Sequence, residues 1–262
     1  MEHGLHSEVT AAEFGVALLM LTAIVIYMNA SVVSGKRNRK WPLYRIFLWI
    51  LGVLAIGAVC IGPLASRAHS DFTVHMFNHL LIGMLAPLLM VLSSPVALLL
   101  RSLSVASARK VAGILKSRLV YFMGHPITAA ILNTGGLFVL YTTDLYFLMH
   151  DYFLLYVLVH FHLFAAGYLF TASIIYIDPV AHRVGFLYRA IVLVTALAGH
   201  GLLAKLIYAD PPETVLKSQA EAGSMLMYYG GDAIDAVLII VFCYQWFISA
   251  RPRQTVPEGG FK

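Results

Sequence analysis

The fold is decided by one stretch, residues 69–101, which reads HSDFTVHMFNHLLIGMLAPLLMVLSSPVALLLR. After a polar start it is almost continuously apolar, and a helix of this length can cross a bilayer. His75 and His79 are four residues apart, so they lie on one helix face and can share a metal ion or a proton network. The alternative is an ordinary membrane helix with interfacial histidines in its first turns.

The composition places the whole chain in a membrane. Of its 262 residues 60% are apolar and only 12% are charged, which is too few charges to cover a soluble protein of this size. The two cysteines, Cys60 and Cys243, both lie in apolar stretches and do not have the spacing of a metal site. The net charge of +5 follows from the membrane topology and does not indicate a nucleic-acid partner.

Seven apolar segments can be drawn, so we expect a single all-α domain, residues 1–262, with seven transmembrane helices in a lipid bilayer. The predicted spans are residues 11–30, 44–62, 72–100, 126–141, 152–176, 186–208 and 228–250. With the N-terminus outside, all lysines and arginines except Arg67, Lys205 and Lys217 fall on the inner side. Arg39 after the first span and Arg253 after the seventh are examples. This asymmetry predicts an outer N-terminus and a cytoplasmic C-terminus.

Ionisable side chains inside a membrane are costly, so they indicate where the function lies. At 1.5 Å per residue, His79 lies about 9 Å into the third span from its outer end. His160 and His200 lie about 12 Å from the outer ends of the fifth and sixth spans. Asp232 and Asp235 lie about 6 Å and 10 Å into the seventh, where a buried partner or cation would explain them. Four helices therefore bring histidine or aspartate to similar depths on one side.

This set of donors predicts a metal site. Imidazole with carboxylate suits zinc, copper(II) or iron, and thioether favours copper(I). Methionines occur at the same side, although each one alone is also explained by packing. Copper is therefore the expected metal, with zinc or haem as alternatives. The predicted metal residues are His75, His79, His160, His200, Asp232, Asp235, Met225 and Met227.

The motifs HMFNHLLIGMLAP (residues 75–87) and SSPVALLLR (residues 93–101) resemble the signature of the polytopic CtaG family of cytochrome c oxidase assembly factors. This is the multi-span family, distinct from the single-span copper chaperone of the same name. The resemblance continues through AGSMLMYYGGD (residues 222–232) and covers roughly residues 43–250. It implies a protein of the bacterial inner membrane that helps to mature a haem-copper oxidase through copper delivery. Its partners would be oxidase subunits or other assembly factors.

Two other functions stay open at this point. Three histidines and an aspartate near one face also suit an intramembrane zinc hydrolase that acts on a lipid amide or ester, with Asp232 or Asp235 as the general base. Two histidines from different helices also suit the axial ligation of a haem in an electron carrier. We expect a role in assembly rather than catalysis.

Overall fold

The computed structural model describes residues 2–37, 40–180, 182–212 and 215–251, with side chains from residue 13 onward. Arg39 and Arg253, two basic residues of the predicted inner side, lie outside the described residues. The α-helices are α1 (Glu2–Arg37), α2 (Leu43–Cys60), α3 (Pro63–Arg67), α4 (Phe72–Leu80), α5 (Ala86–Ser93), α6 (Pro95–Ser102), α7 (Val105–Leu115), α8 (Arg118–Met123), α9 (Pro126–Ala130), α10 (Gly136–Thr142), α11 (Leu145–Asp151), α12 (Phe153–Ile174), α13 (Phe186–Ala209) and α14 (Lys217–Ala250). Two π-helical segments, Leu81–Leu85 and Ile131–Gly135, join α4 to α5 and α9 to α10.

Within these described ranges, six helices are long and apolar enough to cross a membrane. They are Glu13–Arg37, Leu43–Cys60, Phe72–Ser102, Phe153–Ile174, Phe186–Ala209 and Lys217–Ala250. The predicted fourth span corresponds to a shorter apolar helix, Pro126–Thr142. The all-helical, multi-pass membrane architecture is confirmed for the described residues, and the count of seven spans and the orientation stay predictions.

The helix Phe72–Ser102 lies at the centre of the bundle. In its most apolar 18 residues 56% are buried, against 39% or less in the other five candidate spans. Its first part, α4, packs against α14, and its later part, α5, packs against α2 and α12. The histidines of this helix are therefore surrounded by protein. We call the end of the bundle at which α4 begins the histidine end.

A π-helical segment, Leu81–Leu85, follows the two histidines of α4. Pro87 has no N–H to donate to the carbonyl of Gly83, four residues earlier, so the regular helical hydrogen bonding is interrupted here. Gly167 of α12 passes against this carbonyl, and a Cβ at position 167 would lie 2.0 Å from the Gly83 oxygen. The central helix and α12 therefore meet backbone to backbone just beyond the histidines.

The junction between α5 and α6 is held by a carboxylate from another part of the chain. Ser94 has a φ of 59°, and α6 begins at the next residue, Pro95. The Asp178 carboxylate accepts hydrogen bonds from the Ser94 hydroxyl at 2.7 Å and from the N–H groups of Val96 at 3.2 Å and Ala97 at 2.7 Å. Because the first N–H groups of a helix have no acceptor within it, this carboxylate satisfies them and complements the helix dipole.

The last helix, α14, begins at Lys217, well before the predicted start of the seventh span at residue 228. Residues 217–227 are rich in helix formers such as lysine, glutamine, alanine and methionine. The side-chain Oε1 of Gln219 accepts a hydrogen bond from the Phe72 N–H at 3.2 Å, and the backbone carbonyl of Gln219 accepts one from the Thr73 hydroxyl at 3.4 Å. The added turns of α14 thus pack on the first turn of α4, which is why they are helical and not a loop.

Candidate metal centre

The helix α4 places two histidines inside the protein. Its N-cap is Asp71, whose side chain accepts hydrogen bonds from the N–H groups of Thr73 at 2.8 Å and Val74 at 3.4 Å. His75 and His79 follow one turn apart, and each is only 3% exposed. Burying a polar group without a partner is costly, so the groups around these two rings indicate whether the imidazoles form hydrogen bonds or could bind a cation.

His75 belongs to a group of side chains that we call the histidine–tyrosine cluster. Its members are His69, His75, His150, His160, Tyr141, Tyr146 and Tyr156. Nε2 of His75 is 3.0 Å from the Tyr141 hydroxyl, and its ring centroid is 5.0 Å from that of Tyr146. The ring centroids of His150 and His160 lie 6.2 and 6.4 Å from that of His75. The cluster joins α4, α10, α11 and α12 at the histidine end.

Two histidines of the cluster are oriented by backbone carbonyls. Nδ1 of His150 is 2.8 Å from the carbonyl oxygen of Tyr146, and Nδ1 of His160 is 2.9 Å from that of Tyr156. A carbonyl can only accept, so Nδ1 carries the proton in the neutral ring and Nε2 keeps its lone pair. A backbone carbonyl on one ring nitrogen is also a usual partner of metal-binding histidines. Both rings therefore present a lone pair to a cation.

His79 and His200 form a second group, one turn further along α4. Their ring centroids are 6.1 Å apart with the ring planes at 23°. Both ring nitrogens of His79 and Nε2 of His200 are buried, and no described residue forms a hydrogen bond with them. With metal–nitrogen bonds of about 2.0 Å and ring nitrogens about 1.1 Å from the centroid, two imidazoles that share one ion have centroids about 5 to 6.4 Å apart. The separation of this pair falls in that range.

A small cavity of about 30 Å³ lies beside this pair. His79 and His200 line it together with the buried side chain of Asp235 from α14 and with Thr134 of the second π-helical segment. Gly231, one turn before Asp235, lies directly against His200, and a Cβ there would be 2.6 Å from Cε1 of that ring. The volume accommodates one ion or one water molecule. Two imidazoles and a carboxylate are donors that suit zinc or copper.

The described side chains provide pairs of potential metal ligands and no larger sets. Across residues 13–37, 40–180, 182–212 and 215–251, no group of three or more His, Cys, Asp or Glu side chains is close enough to hold a metal ion. A third ligand would therefore have to move toward an ion bound by a pair, or be supplied by water or by a partner.

Tyr141 of the cluster contacts one histidine of each group. The ring centroid of Tyr141 is 6.0 Å from that of His75 and 6.3 Å from that of His79. Tyr146 lies in the short helix α11, before α12, and burial raises its pKa to about 12. Its phenol is therefore neutral at physiological pH and packs against His75 as an uncharged aromatic neighbour.

The structure places three of the predicted metal residues outside the two groups. Asp232 is exposed, whereas Asp235 is buried. Met225 is 51% exposed and lines a cavity of about 240 Å³ with Lys205, between α13 and α14. Met227 is fully buried in the apolar core. The predicted residues that the structure brings together are His75 and His160 in the cluster, and His79, His200 and Asp235 at the cavity.

The predicted metal residues did not include His69, His150 or the three tyrosines of the cluster, and the sequence placed His150 in a solvated outer loop. Both histidines lie between apolar segments, where neither helical periodicity nor depth could place them. One signal was available, because a tyrosine precedes both His150 and His160 by four residues. This spacing puts the two rings of each pair in contact, with centroids 4.9 Å apart for Tyr146 and His150 and 4.0 Å apart for Tyr156 and His160.

Comparison with known proteins identifies the family of the chain. The model of the Caa3_CtaG family, described as cytochrome c oxidase caa3 assembly factor, matches residues 25–249. The chain belongs to this family. The resemblance to the polytopic CtaG proteins is thereby confirmed, and both histidine groups lie inside the part that matches Caa3_CtaG.

Relatives of this Caa3_CtaG protein occur in mycobacteria. It is 30% identical over 194 residues to the uncharacterized protein ML1998 of Mycobacterium leprae (strain TN), which is 70% of this chain and 29% of that protein. It is 32% identical over 158 residues to the uncharacterized protein Mb0105 of Mycobacterium bovis, which is 58% of this chain and 24% of that protein. The matched region thus spans less than a third of each relative. No solved structure matches the chain at a significant level.

Proposed function

We propose that this Caa3_CtaG protein assembles a haem-copper cytochrome c oxidase by binding copper between His79 and His200 and delivering it to an oxidase subunit. The observation that carries the proposal is the set of buried ring nitrogens without partners beside a cavity of one-ion size. An unsatisfied buried polar group costs about 1–3 kcal/mol, and a bound cation removes that cost. Copper is cargo in this account, so a site built on two strong donors suits both loading and release.

The other predicted residues have supporting roles in this proposal. Asp235 lines the cavity and would move toward the ion to become its third donor, and its negative charge would offset part of the positive charge of the cation. His75 and His160 provide exchange positions nearer the histidine end. Met225 and Met227 are soft donors on α14, and the exposed thioether of Met225 suits the release of copper(I) toward a client subunit or another assembly factor.

We infer that the protein has seven spans, with an outer N-terminus, in a bacterial inner membrane. The helix Pro126–Thr142 is about 25 Å long, close to the hydrocarbon thickness of about 30 Å. An outer N-terminus puts the basic helices α7 and α8 in the cytoplasm and the histidine end at the periplasmic side, and counting Pro126–Thr142 as a span returns the chain to that side before α12. The mycobacterial relatives fit a bacterial membrane. Copper would therefore arrive from the periplasm.

The size of the cavity favours copper carriage over the two alternatives. A haem ligated by His79 and His200 needs space for a whole porphyrin, and the cavity of about 30 Å³ is far smaller. A zinc hydrolase needs room for the substrate carbonyl beside the metal-bound water, and a lipid amide or ester does not fit in this volume. A single ion does fit.

Metal content tests the proposal directly. The full chain is purified in detergent, exposed to copper and zinc, and analysed by mass spectrometry together with the double variant His79→Ala, His200→Ala. The matched control is His125→Ala with His182→Ala, because these two histidines lie outside both groups. We expect about one copper per chain in the wild type and the control, and loss of copper in the first variant.

Oxidase assembly is the second readout. In a strain that lacks the wild-type gene, the control variant is expected to restore oxidase activity and the His79, His200 variant is not. Copper retained by the His79, His200 variant would refute the site. Zinc instead of copper in the wild type, together with lipid turnover, would favour the hydrolase.

A further inference from the structure

The histidines of the histidine–tyrosine cluster are graded in exposure. His69 is exposed, His150 is half-buried and His75 is buried. The ring centroids of His69 and His150 are 5.8 Å apart, and those of His150 and His75 are 6.2 Å apart. Both separations fall in the range in which two imidazoles can share one ion. The cluster therefore offers a continuous series of paired nitrogen donors from the surface to α4.

The buried end of this series adjoins the cavity. His75 and His79 are one turn apart on α4, and the ring of Tyr141 contacts both. His160 contacts His75 from α12, with ring centroids 6.4 Å apart. An ion held at His75 is therefore within one helical turn of the pair at the cavity.

The imidazole rings of His69 and His150, the two outermost in the series, are held in orientations that suit cation binding. The ring of His69 stacks on Tyr156 with centroids 4.9 Å apart, which fixes its plane. The Nδ1–H of His150 donates to the Tyr146 carbonyl, which leaves Nε2 with its lone pair. Packing alone explains the stacking, but it does not explain why two histidines converge.

We propose that His69 and His150 form the capture site at which copper enters from the periplasmic side, and that the ion passes through His75 to the pair at the cavity. This inference rests on the proposed copper-binding function and deepens it by assigning the loading route. Each step exchanges one imidazole for another on the same copper(I) ion. The bond to the leaving nitrogen breaks as the next bond forms, and no electron is transferred.

The rate of copper loading tests the capture site separately from the cavity. Copper(I) is supplied as its coloured bicinchoninate complex to the detergent-purified full chain, without oxygen and with a reductant. Loss of colour gives the loading rate, and mass spectrometry gives the final occupancy. In the variant His69→Ala, His150→Ala we expect loading at least about tenfold slower, with the final occupancy of the wild type. The His125, His182 control should load at the wild-type rate.

A donor replacement distinguishes ligand exchange from a structural role. The variant His69→Met, His150→Met keeps two donors that bind copper(I), so it should load copper(I) close to the wild-type rate. A wild-type rate in the alanine variant would overturn the inference while leaving the cavity site intact. Equally slow loading in the methionine variant would also overturn it, because the two histidines would then act through structure. Absence of copper from the wild type would overturn the proposed function and this inference together.

Discussion

Replacing Gly231 with alanine tests His200 as a ligand without removing any donor. A Cβ at this position would lie 2.6 Å from Cε1 and 3.2 Å from Nδ1 of His200. Carbon atoms in contact are about 3.5 to 4.0 Å apart, so the ring or the helix must move by about 1 Å. Displacements beyond about 0.5 Å already impair a site of this kind. We therefore expect copper affinity to fall by about 10- to 100-fold, which is about 1.4 to 2.8 kcal/mol.

The neighbouring glycine provides the matched control. A Cβ at Gly230 would lie equally close to a neighbour, 2.6 Å from Cδ1 of Leu80, but that atom is the end of a flexible apolar side chain. Gly230→Ala should therefore keep the copper affinity of the wild type. Affinity is measured by competition with a chromogenic copper(I) chelator, and thermal unfolding shows that each variant is folded. A folded Gly231→Ala protein that binds copper as tightly as the wild type would refute the role of His200.

Three further predictions concern stability, each measured by thermal unfolding in detergent. Gly167→Ala puts a Cβ 2.0 Å from the Gly83 oxygen, which cannot move aside, and should cost about 1–3 kcal/mol or more. Gly15→Ala is the control and should change little, because no atom of the described residues lies within 4 Å of the added Cβ. Equal effects of the two substitutions would contradict the close approach of the two helices. Asp178→Ala removes the acceptor for three donors at the start of α6 and should cost about 0.5–2 kcal/mol, whereas the exposed Asp144→Ala should be neutral. Folding raises the pKa of Tyr146 from 10.0 to about 12 through burial, so the folded state holds this proton more tightly, and the resulting stability is complete below pH 10 and lost as the pH rises through 12. Tyr146→Phe should therefore lose less stability than the wild type over that interval, and parallel curves would show that the phenol is not the group responsible.

Much of the fold follows from the sequence because apolar runs of membrane length leave few alternatives. The central helix was predicted at residues 72–100 and is observed at Phe72–Ser102. The early start of α14 was not predicted, because the span was drawn from its apolar run and the polar residues of 217–227 interrupt that run. Their helix formers extend α14 where these residues pack on α4. The π-helical segment before Pro87 was equally hidden, because a proline can also kink or end a helix.

Helical spacing and depth in the membrane were the only features of the sequence from which the candidate site could be predicted. The spacing of His75 and His79 correctly placed both on one buried face of α4. Depth brought His200 and Asp235 together, but it said nothing about how each helix is rotated about its axis. A helix that is apolar on all sides does not reveal its rotation from the sequence. Asp232 and Asp235 were therefore both predicted as metal residues, although Asp232 is exposed and Asp235 is buried.

The Asp178 carboxylate gives the central helix a fixed pivot. It belongs to the connection between α12 and α13, the helices that carry His160 and His200, and it holds the helix junction at Ser94. From Ser94 to His79 the chain rises about 22 Å, so a tilt of about 2.5° about this pivot moves the His79 ring by about 1 Å. A tilt of this size at the Ser94 junction would therefore change the separation of the two imidazoles at the cavity, although the junction lies about four helical turns away from them.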